Sequence, residues 1–210
     1  MSELTADVIA IADQIGCGTI SLAGHDWGAA VAWNVAMRFP QRIEKLAILN
    51  VPHPAVMIRH LRTDPRQMLR SWYMAYFQIP RLPEALFAAF DFAGGVQALR
   101  NSSRAGTFTA EDFARYREAW RQPGALTSMI NWYRALPGQM PDRAEMETRI
   151  TVPTRIVWGM RDRFLRSEMA RESLHCCDRG ELFEFPDATH WVQHEEPERV
   201  NRLLIGFFGQ

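Results

Sequence analysis

Ile20-Ser21-Leu22-Ala23-Gly24-His25-Asp26-Trp27-Gly28-Ala29-Ala30 is the stretch that decides how this chain reads. A short apolar run ends in Gly-x-Asp-x-Gly and passes at once into an alanine-rich segment. That is the pattern of a strand turning sharply into a helix, with the residue at the corner lifted above the sheet. Both glycines are read as places where a side chain would clash. The corner residue, Asp26, is a carboxylate where such corners commonly carry a hydroxyl. A hydroxyl attacking a carbonyl gives an ester, whereas a carboxylate doing so would give a high-energy anhydride. Asp26 is therefore suited to an sp³ carbon bearing a leaving group, which points to epoxides or alkyl halides.

Outward from this corner the chain alternates. Leu4, Val8, Ile11, Ala12 and Ile15 recur at helical spacing and stop at Gly16, and Trp27 to Phe39 reads as a helix halted by Pro40. Ile43 to Leu49, Thr154 to Trp158 and Leu182 to Phe185 read as further strands, with a helix around Ser167 to Leu174. A last helix opens at Glu196-Pro197 and runs to about Phe208, with Val200, Leu203, Leu204 and Phe207 inward. Strands alternating with helices predict an α/β fold with a mostly parallel sheet, built from residues 1–54 and 149–210.

Residues 55–148 have a different texture, rich in Arg, Met, Pro and aromatics, with helical spacing and no convincing strand. Asp64-Pro65 opens one helix that runs through Tyr73 and Tyr76, and Thr109-x-x-Asp112 opens another. This segment is expected to be a helical cap inserted into the sheet domain. Its Met68, Met74, Met129 and Met140 read as plain core.

Composition narrows the partners. The chain has 210 residues, 47% of them hydrophobic, enough to bury one real core. Its 24 basic and 24 acidic side chains cancel with no basic block, which argues against nucleic acid and anionic membranes as partners. No leader-like or membrane-length apolar stretch is present, so a cytoplasmic protein is expected. Three cysteines, two of them adjacent (Cys176 and Cys177, beside His175), suit neither a disulfide framework nor a metal site.

Two later loops complete a possible constellation. Asp162 falls just past the strand ending at Trp158, and His190 lies in Asp187-Ala188-Thr189-His190-Trp191, beyond the next strand. Reacting groups gather at that edge of open α/β sheets. Each residue alone has an ordinary reading, as a turn aspartate, an ion-pair partner or a surface histidine. Their joint order of nucleophile, acid and histidine is what points to chemistry. In the inferred mechanism Asp26 forms an alkyl ester, and His190, oriented by Asp162, deprotonates the water that hydrolyses it. No cofactor is needed. An opening epoxide also needs a proton, and a phenol with a pKa of about 10 is a suitable donor to an alkoxide. Ser71-Trp72-Tyr73-Met74-Ala75-Tyr76-Phe77-Gln78 and Asn131-Trp132-Tyr133-Arg134 offer two such phenols, Tyr73 and Tyr133.

Taken together, Gly24-His25-Asp26-Trp27-Gly28-Ala29, the two cap segments, Asp162 and Thr189-His190-Trp191-Val192-Gln193 resemble the bacterial and soluble-type epoxide hydrolases of the α/β-hydrolase superfamily, over essentially the whole chain. The corner and the histidine motif are shared with haloalkane and haloacetate dehalogenases; the cap segments favour epoxides. The resemblance implies Asp26 as nucleophile, Asp162 and His190 as its partners, and Tyr73 and Tyr133 as ring-opening acids. It places Trp27, Tyr76 and His25 at the oxyanion or substrate: Trp27 through its backbone N–H, or its indole for a halide, and Tyr76 as an alternative acid one turn from Tyr73. The substrate expected is a small apolar epoxide or related alkyl compound.

The family pattern also has four strands ahead of the nucleophile strand and a His-Gly-x-Pro loop that completes the oxyanion hole, neither of which occurs in this sequence. Either the true start lies upstream of Met1 or the chain is a genuine truncation; in this chain Thr19 to Ala23 is expected to form an exposed edge, prone to self-association or dependent on a partner fragment. A dehalogenase, or an impaired remnant acting only by association, are the competing readings.

Overall fold

In the computed structural model, which describes residues 1–138 and 148–209, four strands form one parallel sheet in the order β1 (Ile20–His25), β2 (Ile43–Leu49), β3 (Thr154–Gly159) and β4 (Gly180–Phe185). Parallel neighbours need a crossover, and helices supply them. α1 (Ser2–Gln14) precedes β1, and α2 (Trp27–Arg38) carries the chain from β1 to β2. The crossover from β2 to β3 holds α3 (Pro54–Thr63), α4 (Pro65–Arg70), α5 (Trp72–Tyr76), α6 (Leu82–Ser102), α7 (Ala110–Trp120) and α8 (Ala125–Ala135). α9 (Glu168–Leu174) leads to β4, and α10 (Val192–Glu195) and α11 (Pro197–Phe208) follow it. With Gly24 beside Ile48, Leu49 beside Val157 and Gly159 beside Phe185, all four carboxyl ends finish at one edge.

Both faces of the central strands are covered, which is why those strands read as continuous apolar runs. Leu46, Ile48, Ile156 and Trp158 face Trp33 and Val35 of α2 and Met169 and Ala170 of α9. The alternate residues Leu49, Val157 and Phe185 meet Val192 and Val200 on the other side. β1 is different: among the described residues it is paired only with β2, with Ile20 and Leu22 half-buried against the core and Ser21 and Ala23 exposed. On α1, Leu4 and Val8 pack inward, but Ile11 and Ile15, read as part of that face, are exposed.

The long crossover has two parts. α3 sends Val56 into the sheet's own core, whereas Phe92, Val96, Leu99, Phe113 and Trp120 build a separate cluster from α6 and α7. Thr109 and Asp112 form the reciprocal capping box that starts α7. The single helix expected through Tyr73 and Tyr76 is instead broken at Ser71. The buried Gln67 amide donates to Ser71 Oγ (2.9 Å) and to the Phe164 carbonyl (2.8 Å), while the Arg166 N–H donates to Gln67 Oε1 (3.1 Å). These bonds to the loop after β3 tie down the end of α4, and α5 restarts from there. Of the methionines read as core, Met68 and Met129 are exposed, and Met140 lies outside the described residues. Among the described residues no helix is long and apolar enough to cross a membrane, and no cluster of His, Cys, Asp and Glu could hold a metal ion.

Candidate active site

The corner at Asp26 is a backbone under constraint. Its φ of 51° and ψ of −130° fall where side chains are rarely found. Tight packing on either side holds it there. A Cβ on Gly24 would lie 2.5 Å from the Gly28 carbonyl oxygen and 2.7 Å from Ala29 N, so strand and helix touch at this point and only glycine fits. Gly28 has open space around its own Cβ position, so the expectation that both glycines relieve a clash holds only for Gly24. The Ala29 and Ala30 N–H groups both donate to the Asp26 carbonyl and start α2.

The acid and the histidine come from the loops after β3 and β4. A Cβ on Gly159 would sit 1.9 Å from the Thr189 carbonyl oxygen, so these loops cross in contact. Asp162 is buried with both oxygens occupied: Phe164 N (2.7 Å) and Leu165 N (3.0 Å) donate to Oδ1, and Asn50 Nδ2 (2.8 Å) and His190 Nδ1 (2.7 Å) donate to Oδ2. This fixes the imidazole tautomer and aims Nε2 at Asp26, whose Oδ2 is 3.9 Å away. The Asp26 side chain is half exposed, whereas that of His190 is almost wholly covered.

The electrostatics follow from this placement. Burial works to raise the Asp26 carboxyl, but the pull of His190, helped by His25 and by the Trp27 N–H, outweighs it and holds the group below its ordinary value. Burial likewise opposes charge on His190, yet Asp162 first and Asp26 second outweigh it and keep the imidazole well above its ordinary value. Both neighbouring acids thus favour the protonated form of this imidazole.

His25 behaves otherwise. Its Nε2 lies 2.8 Å from the His190 carbonyl oxygen, which can only accept, so that nitrogen carries the proton and Nδ1 accepts from Gln193 Nε2 (3.1 Å). Burial first, and the His190 charge second, lower its pKa to about 4. Expected at the oxyanion or substrate, His25 has both ring nitrogens engaged inside the protein. These two bonds link the end of β1 to the loop after β4 and to α10.

Against Trp27 and His190 lies an aromatic wall. The Tyr73 and Tyr133 rings meet edge-on at 5.6 Å, Tyr133 touches Trp27 at 5.1 Å and Phe77 at 4.8 Å, and Phe164 links Tyr73 (5.8 Å) to His190 (5.2 Å). Burial, then the neighbouring Tyr133 and the Asp26 charge, push the Tyr73 phenol well above 10. Burial and Asp26 push Tyr133 up as well, against a small opposing pull from the Trp27 indole. Both therefore carry their protons at neutral pH. The Trp27 indole N–H is buried without a hydrogen-bond partner, and its ring lies edge-on to that of Tyr133. Tyr76 stacks on Trp72 (5.9 Å) and Phe77 (5.6 Å), one layer outside the Tyr73–Tyr133 pair.

Asn50 was not singled out from sequence. It sits at the end of β2 with φ of 50°, fully buried, donating to Asp162 and accepting the Gly159 N–H at 2.8 Å. The one local signal was an Asn directly after an apolar strand, since Asn tolerates positive φ better than most residues.

A residue raised at the strand-to-helix corner, an acid after β3 and a histidine after β4, all at the carboxyl edge of a parallel sheet, define the α/β-hydrolase arrangement. The chain belongs to the alpha/beta hydrolase fold family, whose model matches residues 2–197. It is 44% identical to the AB hydrolase superfamily protein YfhM of Bacillus subtilis over 208 residues, 99% of this chain and 72% of that protein. It is 36% identical to epoxide hydrolase 4 of Mus musculus over 97% of this chain, spanning 58% of the mouse protein. A Bacillus megaterium epoxide hydrolase solved with an inhibitor superposes with a TM-score of 0.83 at 25% identity, over 98% of this chain and 75% of that one.

Proposed function

We propose that this protein hydrolyses small apolar epoxides to diols through an alkyl ester on Asp26. The observation that carries the reading is the Asp26 carboxylate 3.9 Å from the Nε2 of an Asp162-bound imidazole, with two phenols near enough for its charge to raise both. One Asp26 oxygen attacks a ring carbon, the C–O bond breaks toward the ring oxygen, and Tyr73 and Tyr133 hold that oxygen between them, one of the two giving it a proton. Residues 55–148 serve as the cap that brings the phenols over the carboxylate.

Ester formation then changes His190. It removes the Asp26 negative charge, one of the two influences that hold the imidazole protonated, so the pKa of His190 falls, its proton passes through solvent to the tyrosinate left by ring opening, and the neutral imidazole becomes available as a base. His190 takes a proton from water as the water oxygen attacks the ester carbonyl. The Trp27 N–H steadies the oxyanion, and collapse releases the diol and Asp26. The hydroxyl proton of the tetrahedral intermediate goes to the leaving alkoxide, and the proton taken from water stays on His190, which restores the starting state.

Tyr73→Phe and Tyr133→Phe are each expected to slow ring opening of an aryl epoxide by about 10²- to 10⁴-fold, the usual worth of a positioned acid, while leaving the fold intact in thermal melts. The alternative, a dehalogenase, is favoured by one observation, the unfilled indole N–H of Trp27. Halide release from a chloroalkane, unaffected by either Phe variant and unaccompanied by diol from epoxides, would select it. Pairing of two copies through the edge of β1 that is unpaired among the described residues belongs to the same proposal; sedimentation velocity that finds only monomer over a wide concentration range rules it out.

A further inference from the structure

Glu195 is a buried acid that the chemistry above does not use. It closes α10 with its side chain 8% exposed, and all its donors come from two places. Thr189, the residue before His190, donates its N–H to Oε2 (2.7 Å) and its hydroxyl to Oε1 (2.7 Å). The Arg104 N–H donates to Oε1 at 2.7 Å, and the Thr107 hydroxyl does so at 3.4 Å, both from the turn between α6 and α7. The same two segments meet again nearby. The Trp191 indole donates to Ser102 Oγ (3.0 Å), the Trp191 and Phe108 rings lie 5.4 Å apart, and the Arg104 guanidinium reaches the Glu195 carbonyl oxygen and Glu196.

Thr189 is thus held on both sides. Glu195 fixes its N–H and hydroxyl, while its carbonyl oxygen lies against Gly159 at the end of β3. The next residue is His190, whose reach to Asp26 spans 3.9 Å and tolerates little drift. We propose that Glu195 is a positioning residue, one that sets the height of the His190 imidazole by clamping Thr189 to the 102–108 turn of the helical insert. Its carboxylate does not touch the reacting atoms; it acts through Thr189. A glutamine in its place has one acceptor oxygen for two backbone N–H groups, so either Thr189 or Arg104 loses its partner.

The kinetic arm of the test rests on the reaction proposed above, and the spectroscopic arm does not. In proton NMR of the full chain, the Nδ1–H that His190 donates to Asp162 gives a far-downfield line, assigned by its loss in His190→Gln. In Glu195→Gln that proton is expected to exchange with solvent at least tenfold faster. With an aryl epoxide followed by intact mass, Glu195→Gln is expected to alkylate Asp26 at the wild-type rate within about twofold but to release the diol at least tenfold more slowly, because only the second step uses His190. A purely structural role would lower the melting temperature and leave both readouts unmoved. Unchanged proton exchange overturns the proposal, and so does an unchanged ratio of hydrolysis to alkylation. If the wild-type chain forms no adduct, the epoxide reading falls and proton exchange alone decides for Glu195. Should Glu195→Gln not fold, Thr189→Val removes one of the clamp's bonds and is expected to move both readouts in the same direction, by a smaller factor.

Discussion

Asp26→Ala is expected to form no covalent adduct with an aryl epoxide and to lose turnover by on the order of 10⁶-fold, the size of loss that follows removal of a triad nucleophile. The variant keeps the Cβ, so the corner, its φ of 51° and the packing against Gly24 persist, and the effect isolates the carboxylate. Intact mass after epoxide treatment reads the adduct directly, and equal labelling of variant and wild type removes Asp26 from the mechanism. A companion variant exposes the cost of the corner. Asp26→Gly, equally inactive, relieves a backbone conformation that costs a side-chain-bearing residue about 1–3 kcal/mol, and should melt at a higher temperature than Asp26→Ala. If the glycine variant is the less stable of the two, the strain inferred at Asp26 is not present.

What could be read without coordinates was whatever depends on local pattern. The corner was legible because Gly24-x-Asp26 sits between an apolar run and an alanine-rich helix, and its geometry is enforced by contacts only four and five residues apart. Asp162 and His190 were legible by order along the chain, since strand ends define the sheet edge where such residues meet. The supporting residues were not, because their partners are remote. Asn50 bonds Asp162 across 112 positions and Glu195 bonds Arg104 across 91, and no window of sequence contains both ends. The same cause explains the misread helix through Ser71. Local propensity runs on unbroken, but Gln67 is captured by Phe164 and Arg166, about a hundred residues away. The contacts of His25 were hidden for the same reason: its ring nitrogens meet the His190 carbonyl and the Gln193 amide, 165 and 168 residues away.

His190→Gln should separate the two halves of the proposed reaction. The nucleophile and the phenols remain, so an epoxide still alkylates Asp26, but the water that must attack the ester has lost its base. The adduct is expected to accumulate to one per chain, with turnover reduced by on the order of 10⁴- to 10⁶-fold. The pH dependence of the alkylation step provides a second reading. In the wild type His190 is the main influence lowering the Asp26 pKa against burial, so its removal leaves burial to push that carboxyl up. Because attack needs the ionised carboxylate, the acid limb of the alkylation rate is expected to move to higher pH in His190→Gln, and not to lower pH. The wild-type adduct carries the complementary signature. With Asp26 esterified and its charge gone, His190 should titrate at lower pH than in the free protein, and ester hydrolysis should rise with pH through that lowered value. An adduct that clears as fast in His190→Gln as in the wild type would show that water reaches the ester without this imidazole, and the base would have to be sought elsewhere in the site.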